Sequence, residues 1–231
     1  MYAKLLTDIV NFDDDLLRNI KGIRSSQDLF DDLCDDPDHY AVAYSAECRD
    51  TVTTDQKLLS RPFDYGVAVA FPFLSANWQQ TRFSDGIRYG AWYGSLDLET
   101  TVYESVYHWR RFVLAAFPAE IANIVGERRV VKVKCRGILV SLVGKETAWP
   151  ALVDPEDYTF TNVLGGYLHD QGQNGLLARS ARCNGTNAAI LRQAVLSNVR
   201  DHCFLTYIFN PREKGNIRVE REQGVLLMTV D

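Results

Sequence analysis

The stretch from Asp97 to Phe112 carries the clearest chemical hint in the sequence. Leu98, Val102, Val106, Trp109 and Val113 recur at three- and four-residue steps and mark the core side of a helix. At about 100° per residue, Thr100, Glu104, Tyr107 and Arg111 stand on the opposite side. Such a face is either solvated or borders a cleft, and only a cleft would bring Glu104 to a ligand. Taken singly, Arg82 reads as a surface cation, Tyr93 as a core aromatic with a satisfied hydroxyl, and Ser180 as a loop or strand-end hydroxyl.

Several chemistries find no support. His39, His108, His169 and His202 fall in no H-E-x-x-H or other ligand spacing. The five cysteines, Cys34, Cys48, Cys135, Cys183 and Cys203, are odd in number, widely spaced and form no C-x-x-C. No metal, zinc site or disulfide framework is expected, and reduced thiols in a cytoplasmic protein are the simpler reading. There is no G-x-S-x-G elbow, and Ser180 has no base within its own motif. The sequence also lacks a G-x-G-x-x-G after a strand and a G-x-x-x-x-G-K-[ST] loop, which argues against Rossmann and P-loop enzymes.

At 231 residues, 46% hydrophobic and 24% charged, the chain has the balance of a soluble globular domain. No apolar run approaches the ~18 residues of a membrane span. The first fifteen residues lack the small-residue cleavage site of a secretory signal. The net charge of −5 is uneven. Residues 1–60 hold 13 acids against 6 Lys/Arg, and residues 61–231 hold 17 acids against 19. No strong basic patch appears, so direct nucleic-acid binding is not expected. The mildly positive second part is compatible with a small anionic ligand.

These side chains need elements to hold them. In residues 1–60, Leu5, Ile9, Phe12, Leu16 and Ile20 step by three and four, which predicts an acidic helical N-terminal segment. A second helix start is read at Ser26, and Asp35-Asp36-Pro37-Asp38 breaks the chain. The aliphatic repeat favours packing as an extra helical layer over partner docking. The charge shift near position 60 sets the boundary with a domain over 61–231. In that domain Tyr65 to Phe73 and residues 87–94 read as strands, and Asp97 caps the helix that follows. Residues 129–135 alternate as a half-buried strand, with a second apolar run at 137–143. Residues 160–171 read as a helix ending near Gly172. Strands are expected at 176–180 and 187–192, either side of a turn at Asn184-Gly185, and at 204–209 and 225–230. The mixture is α+β, without the regular alternation of a doubly wound sheet.

Four ordered motifs resemble the RES-domain family. Thr81-Arg82-Phe83-Ser84-Asp85-Gly86, Ala91-Trp92-Tyr93-Gly94-Ser95 and Glu99-Thr100-Thr101-Val102-Tyr103-Glu104 are similar to its first half. Gly175-Leu176-Leu177-Ala178-Arg179-Ser180-Ala181-Arg182, with Gly185 and Asn187, is similar to its second. The likeness covers roughly residues 61–210. Residues 1–60 have no counterpart in the shortest members, and Ala178-Arg179 stands where many relatives have an apolar residue and proline.

The resemblance implies an ADP-ribosyltransferase-like mixed β core with flanking helices. It also implies a type II toxin–antitoxin toxin that cleaves the nicotinamide–ribose bond of NAD, by hydrolysis or phosphorolysis. Alternatives are a protein ADP-ribosyltransferase using the same site, or an inactive RES-like binding module. By the same resemblance Arg82, Tyr93, Glu104 and Ser180 form the catalytic set. Arg61, Arg82, Tyr93 and Ser180 would hold NAD, which is substrate here, and no metal is needed. The implied partner is an Xre-like antitoxin that covers the active site. The residue types suit the reaction. A carboxylate can stabilise an oxocarbenium-like ribose, a guanidinium grips a diphosphate, and an aromatic ring can stack on nicotinamide.

Overall fold

The computed structural model describes residues 4–22, 65–117, 122–213, 215–222 and 224–231. Eight strands and three α-helices make up the described part: β1 (Asp8–Lys21), α1 (Tyr65–Ala70), β2 (Trp92–Ser95), α2 (Leu98–Ala116), β3 (Ile124–Ser141), α3 (Thr159–Asp170), β4 (Gly175–Arg179), β5 (Thr186–Ile190), β6 (Leu196–Phe209), β7 (Ile217–Glu222) and β8 (Val225–Val230). The sheet is mixed, with β3 and β4 parallel and the other pairs antiparallel. This is the α+β texture expected.

Strand order is β1-β2-β5-β4-β3-β6-β7-β8, and β1 also pairs with β3. That extra pairing closes β1, β2, β5, β4 and β3 into a ring. β1 and β3 run antiparallel from Asp8↔Ser141 to Lys21↔Arg128. Leu16 and Leu17 are both buried, in two different apolar clusters, as the alternation of a strand with two covered faces requires. Charge helps fix the register. Asp13 meets Lys134 at 2.8 Å, and Asp15 pairs with Arg200 of β6. The helical reading of the N-terminal segment is therefore corrected for residues 8–21, where Ile9 is 65% exposed rather than part of an apolar stripe. Ser26, Asp35–Asp38 and Arg61 lie outside the described residues.

A second correction concerns Tyr65 to Phe73. The expected strand is helix α1 followed by a single 3-10 turn over Phe71–Phe73, with Pro72 early in that turn. Pro lacks the N–H that a ladder needs. The strand expected at 87–94 is confined to β2, and the two runs read at 129–135 and 137–143 are one strand, β3. Residues 204–209 form the second half of β6, and β7 was not anticipated.

α2 matches its pattern closely. Val102, Val106, Trp109 and Val113 are buried against Leu205, Tyr207, Phe209 and Ile217. Asp97 is the N-cap, accepting from Thr100 N at 2.7 Å and from Thr100 Oγ1 at 2.8 Å. Asp97→Ala should remove about 1 kcal/mol, a fall of roughly 2–4 °C in Tm by calorimetry; an unchanged Tm would mean the cap contributes nothing. α3 packs Leu164 and Leu168 into a cluster with Phe83, Tyr89 and Leu176.

Candidate functional site

Four segments converge on one cleft of about 590 Å³. The first is the turn Thr81–Ser84, closed by Thr81 N donating to Ser84 O at 2.9 Å. Three side chains clamp it. Asn162 of α3 donates to Thr81 O at 2.6 Å and Arg82 O at 3.1 Å. The Tyr93 hydroxyl accepts from Phe83 N at 2.8 Å and lies 3.0 Å from Thr81 Oγ1. Tyr89 Oη donates to Phe83 O at 2.8 Å. α3 comes so close to this turn that a Cβ on Gly165 would lie 2.1 Å from Phe83 O.

Arg82 projects from the turn and is almost wholly buried. Its Nε donates to Leu152 O at 3.0 Å, and Nη2 bonds the same carbonyl. Nη1 makes no hydrogen bond to a described residue. Burial lowers the pKa of Arg82, and nearby Glu104 opposes that shift. One guanidinium nitrogen, Nη1, is left to serve a ligand. Burial pushes the Tyr93 phenol up to about 12, so it acts as a neutral hydrogen-bonding group.

β2, α2 and the turn between β4 and β5 supply the carboxylate and its holders. Glu104 Oε1 accepts from Ser180 Oγ and from Asn187 Nδ2, both at 2.6 Å. Oε2 has no partner among the described residues. Asn187 is itself oriented by Ser95 Oγ, which donates to its Oδ1 at 2.7 Å. Ser180 Oγ accepts from Arg182 N at 2.9 Å. The turn reaches α2 because residue 185 is glycine: a Cβ there would fall 1.6 Å from Thr100 Oγ1. Ser180 is therefore a donor that aims the carboxylate. Its one basic neighbour among the described residues is Glu104, whose Oε1 it shares with Asn187 Nδ2.

Arg82, Tyr93 and Glu104 line the cleft, and Ser180 meets it through its bond to Glu104. Arg61 lies outside the described residues. The face of α2 opposite its core stripe borders this cleft at Glu104, so of the two readings left open for that face, the cleft holds at this position. Three further cations line the same space. Arg182 stacks over the Tyr107 ring at 3.4 Å and donates to Pro155 O at 2.6 Å. Arg18 of β1 lies over the Trp92 ring at 5.1 Å, and burial lowers its pKa to about 10. Arg128 of β3 completes the group. Arg18 and Arg128 escaped the sequence reading because neither sits in a local motif; only the β1–β3 pairing brings their strands together. Glu104 is the one acidic residue among the cleft-lining residues described.

This arrangement can hold an anionic ligand and place one carboxylate against a centre of developing positive charge. Among the described residues, no group of three or more His, Cys, Asp or Glu could hold a metal. No described helix is long and apolar enough to cross a membrane.

The chain is similar to a chain of the M. tuberculosis MbcT–MbcA toxin–antitoxin complex, over 89% of this chain and 88% of that one, at 8% identity and a TM-score of 0.45. No curated protein matches the sequence. A family model described as the RES domain matches residues 53–210, a span that includes Arg82, Tyr93, Glu104 and Ser180. The chain belongs to the RES-domain family.

Proposed function

We propose that the chain cleaves the nicotinamide–ribose bond of NAD, as the toxin of a type II toxin–antitoxin pair. The observation that carries this reading is a single carboxylate, Glu104, held through Oε1 by Ser180 and Asn187, within a cleft lined by four arginines. The volume lies in the ~300–1,000 Å³ range of small-molecule sites. Arginines suit the diphosphate of a dinucleotide. The carboxylate suits the charge that appears on the ribose.

In this reading the C–N bond breaks heterolytically. Its electron pair leaves with nicotinamide, which departs neutral. The ribose carbon becomes oxocarbenium-like, and the free Oε2 of Glu104 stabilises it. Water or phosphate then donates an electron pair to that carbon and loses a proton. Arg82 offers Nη1 to a phosphate oxygen. Tyr93 has its hydroxyl committed to the Arg82 turn, which leaves its ring as the surface for nicotinamide. Ser180 holds Glu104, and Arg61 is proposed as a further phosphate contact.

The proposal extends to an ADP-ribosyltransferase-like core built from residues 61–231 together with β1, a cytoplasmic setting and an Xre-like antitoxin seated over the cleft. Nicotinamide release from NAD, followed chromatographically with no protein acceptor present, tests the reading. Release with multiple turnovers is expected, and its dependence on added phosphate separates phosphorolysis from hydrolysis. Release only when a protein acceptor is supplied would make the chain a transferase. No release under either condition would make it a binding module.

A further inference from the structure

Arg128 is a buried charge without a counter-charge among the described residues. It is 8% exposed, yet its Nε is sealed from solvent without a partner. Among the described residues, none hydrogen-bonds its guanidinium nitrogens and no carboxylate pairs with it. Its guanidinium lies over the Tyr207 ring, with the carbon 5.4 Å from the ring centroid. Tyr207 is itself fixed, accepting from Asn19 Nδ2 at 2.7 Å and lying 2.7 Å from Ser105 Oγ. The Oδ1 of Asn19 is a second buried polar atom without a partner at this place. Arg128, Asn19 and Ser105 all line the cleft, and Ser105 follows Glu104 directly on α2.

A buried charge without a counter-charge is costly and persists where something repays it. A structural arginine in this position would be expected to reach a carboxylate or backbone carbonyl, as Arg82 does with Leu152. We propose that Arg128 is a specificity-determining anion contact of the cleft, and that its counter-charge is the diphosphate of the substrate. The identity of the substrate rests on the NAD reading above; the anion contact itself does not. Arg82 and Arg128 then grip the diphosphate from separate strands and loops, while Glu104 remains for the ribose.

The test uses the full chain, with ADP-ribose and inorganic pyrophosphate as probes, read by calorimetric titration and by Tm. Arg128→Met is expected to bind both probes roughly ten- to a hundredfold more weakly, and to melt no lower than the parent without ligand, because an unpaired charge is removed. Arg128→Lys should recover part of the affinity and serves if the Met variant does not fold. The proposal is overturned if the Met variant binds both probes as the parent does. It is equally overturned if that variant melts well below the parent with affinities unchanged, since Arg128 would then be a packing residue on Tyr207, or if the parent binds neither probe. Arg128-dependent binding of pyrophosphate with no binding of ADP-ribose would uphold the anion contact and sink the NAD reading.

Discussion

Glu104→Gln should lower nicotinamide release from NAD by roughly 10²- to 10⁴-fold, with ADP-ribose still bound. Glutamine keeps an oxygen where Oε1 accepts from Ser180 and Asn187, so the turn between β4 and β5 stays docked on α2. What disappears is the negative charge at Oε2. In a cleft lined by arginines, that is the charge that can meet a cationic ribose. Product chromatography gives the rate and a binding titration gives the affinity. Release within a few-fold of the parent would remove Glu104 from the chemistry. Lost release together with lost binding would mean that the substitution disturbs the pocket and not the reaction.

Gly165→Ala should have a large effect although it is remote from the reacting atoms. The added Cβ would lie 2.1 Å from Phe83 O, a backbone atom already bonded by Tyr89. α3 has to retreat, and Asn162, one turn earlier, retreats with it from Thr81 O and Arg82 O. Overpacking of this kind costs about 1–3 kcal/mol, or on the order of 5 °C in Tm. Turnover should fall tenfold or more, because Arg82 is displaced. Gly215→Ala is the control: its Cβ meets nothing within 4 Å. If the two variants melt and turn over alike, α3 does not hold the Arg82 turn in place.

The elements most legible in the sequence were those whose partners are local. α2 announces itself through Val102, Val106, Trp109 and Val113 and through Asp97 at its start. The β4–β5 hairpin shows in two apolar runs around Asn184-Gly185. β1 was misread because its Leu16 and Leu17 serve opposite faces, which blurs the two-residue period, and because its pairing strand begins about a hundred residues later. That tertiary pairing overrides local preference. Tyr65 to Phe73 was misread from aromatic and β-branched content alone, and β7 is a short strand whose Arg and Glu mask buried Ile217 and Val219. The site divides in the same way. Glu104 could be placed on a face from periodicity, while its meeting with Ser180 and Asn187 required the folded hairpin. Arg128 was beyond reach, because a charge without a partner becomes visible only when every neighbour is known.

The long pairing of β1 with β3 also sets an order of events during synthesis. β1 is made before its partners: among the described residues it has only the single pair Leu17↔Ser95 with β2 until residues 128–141 follow. At ~5–20 residues per second, a gap of about 120 residues keeps that strand waiting for roughly 6–24 s. The holders of Glu104 come later still, with Ser180 and Asn187. A nascent chain therefore carries a largely unpaired edge until β3 emerges and an unfinished cleft until residue 187 does. The competent pocket arises only once residue 187 has emerged, and a ribosome stalled before it would release a fragment without it.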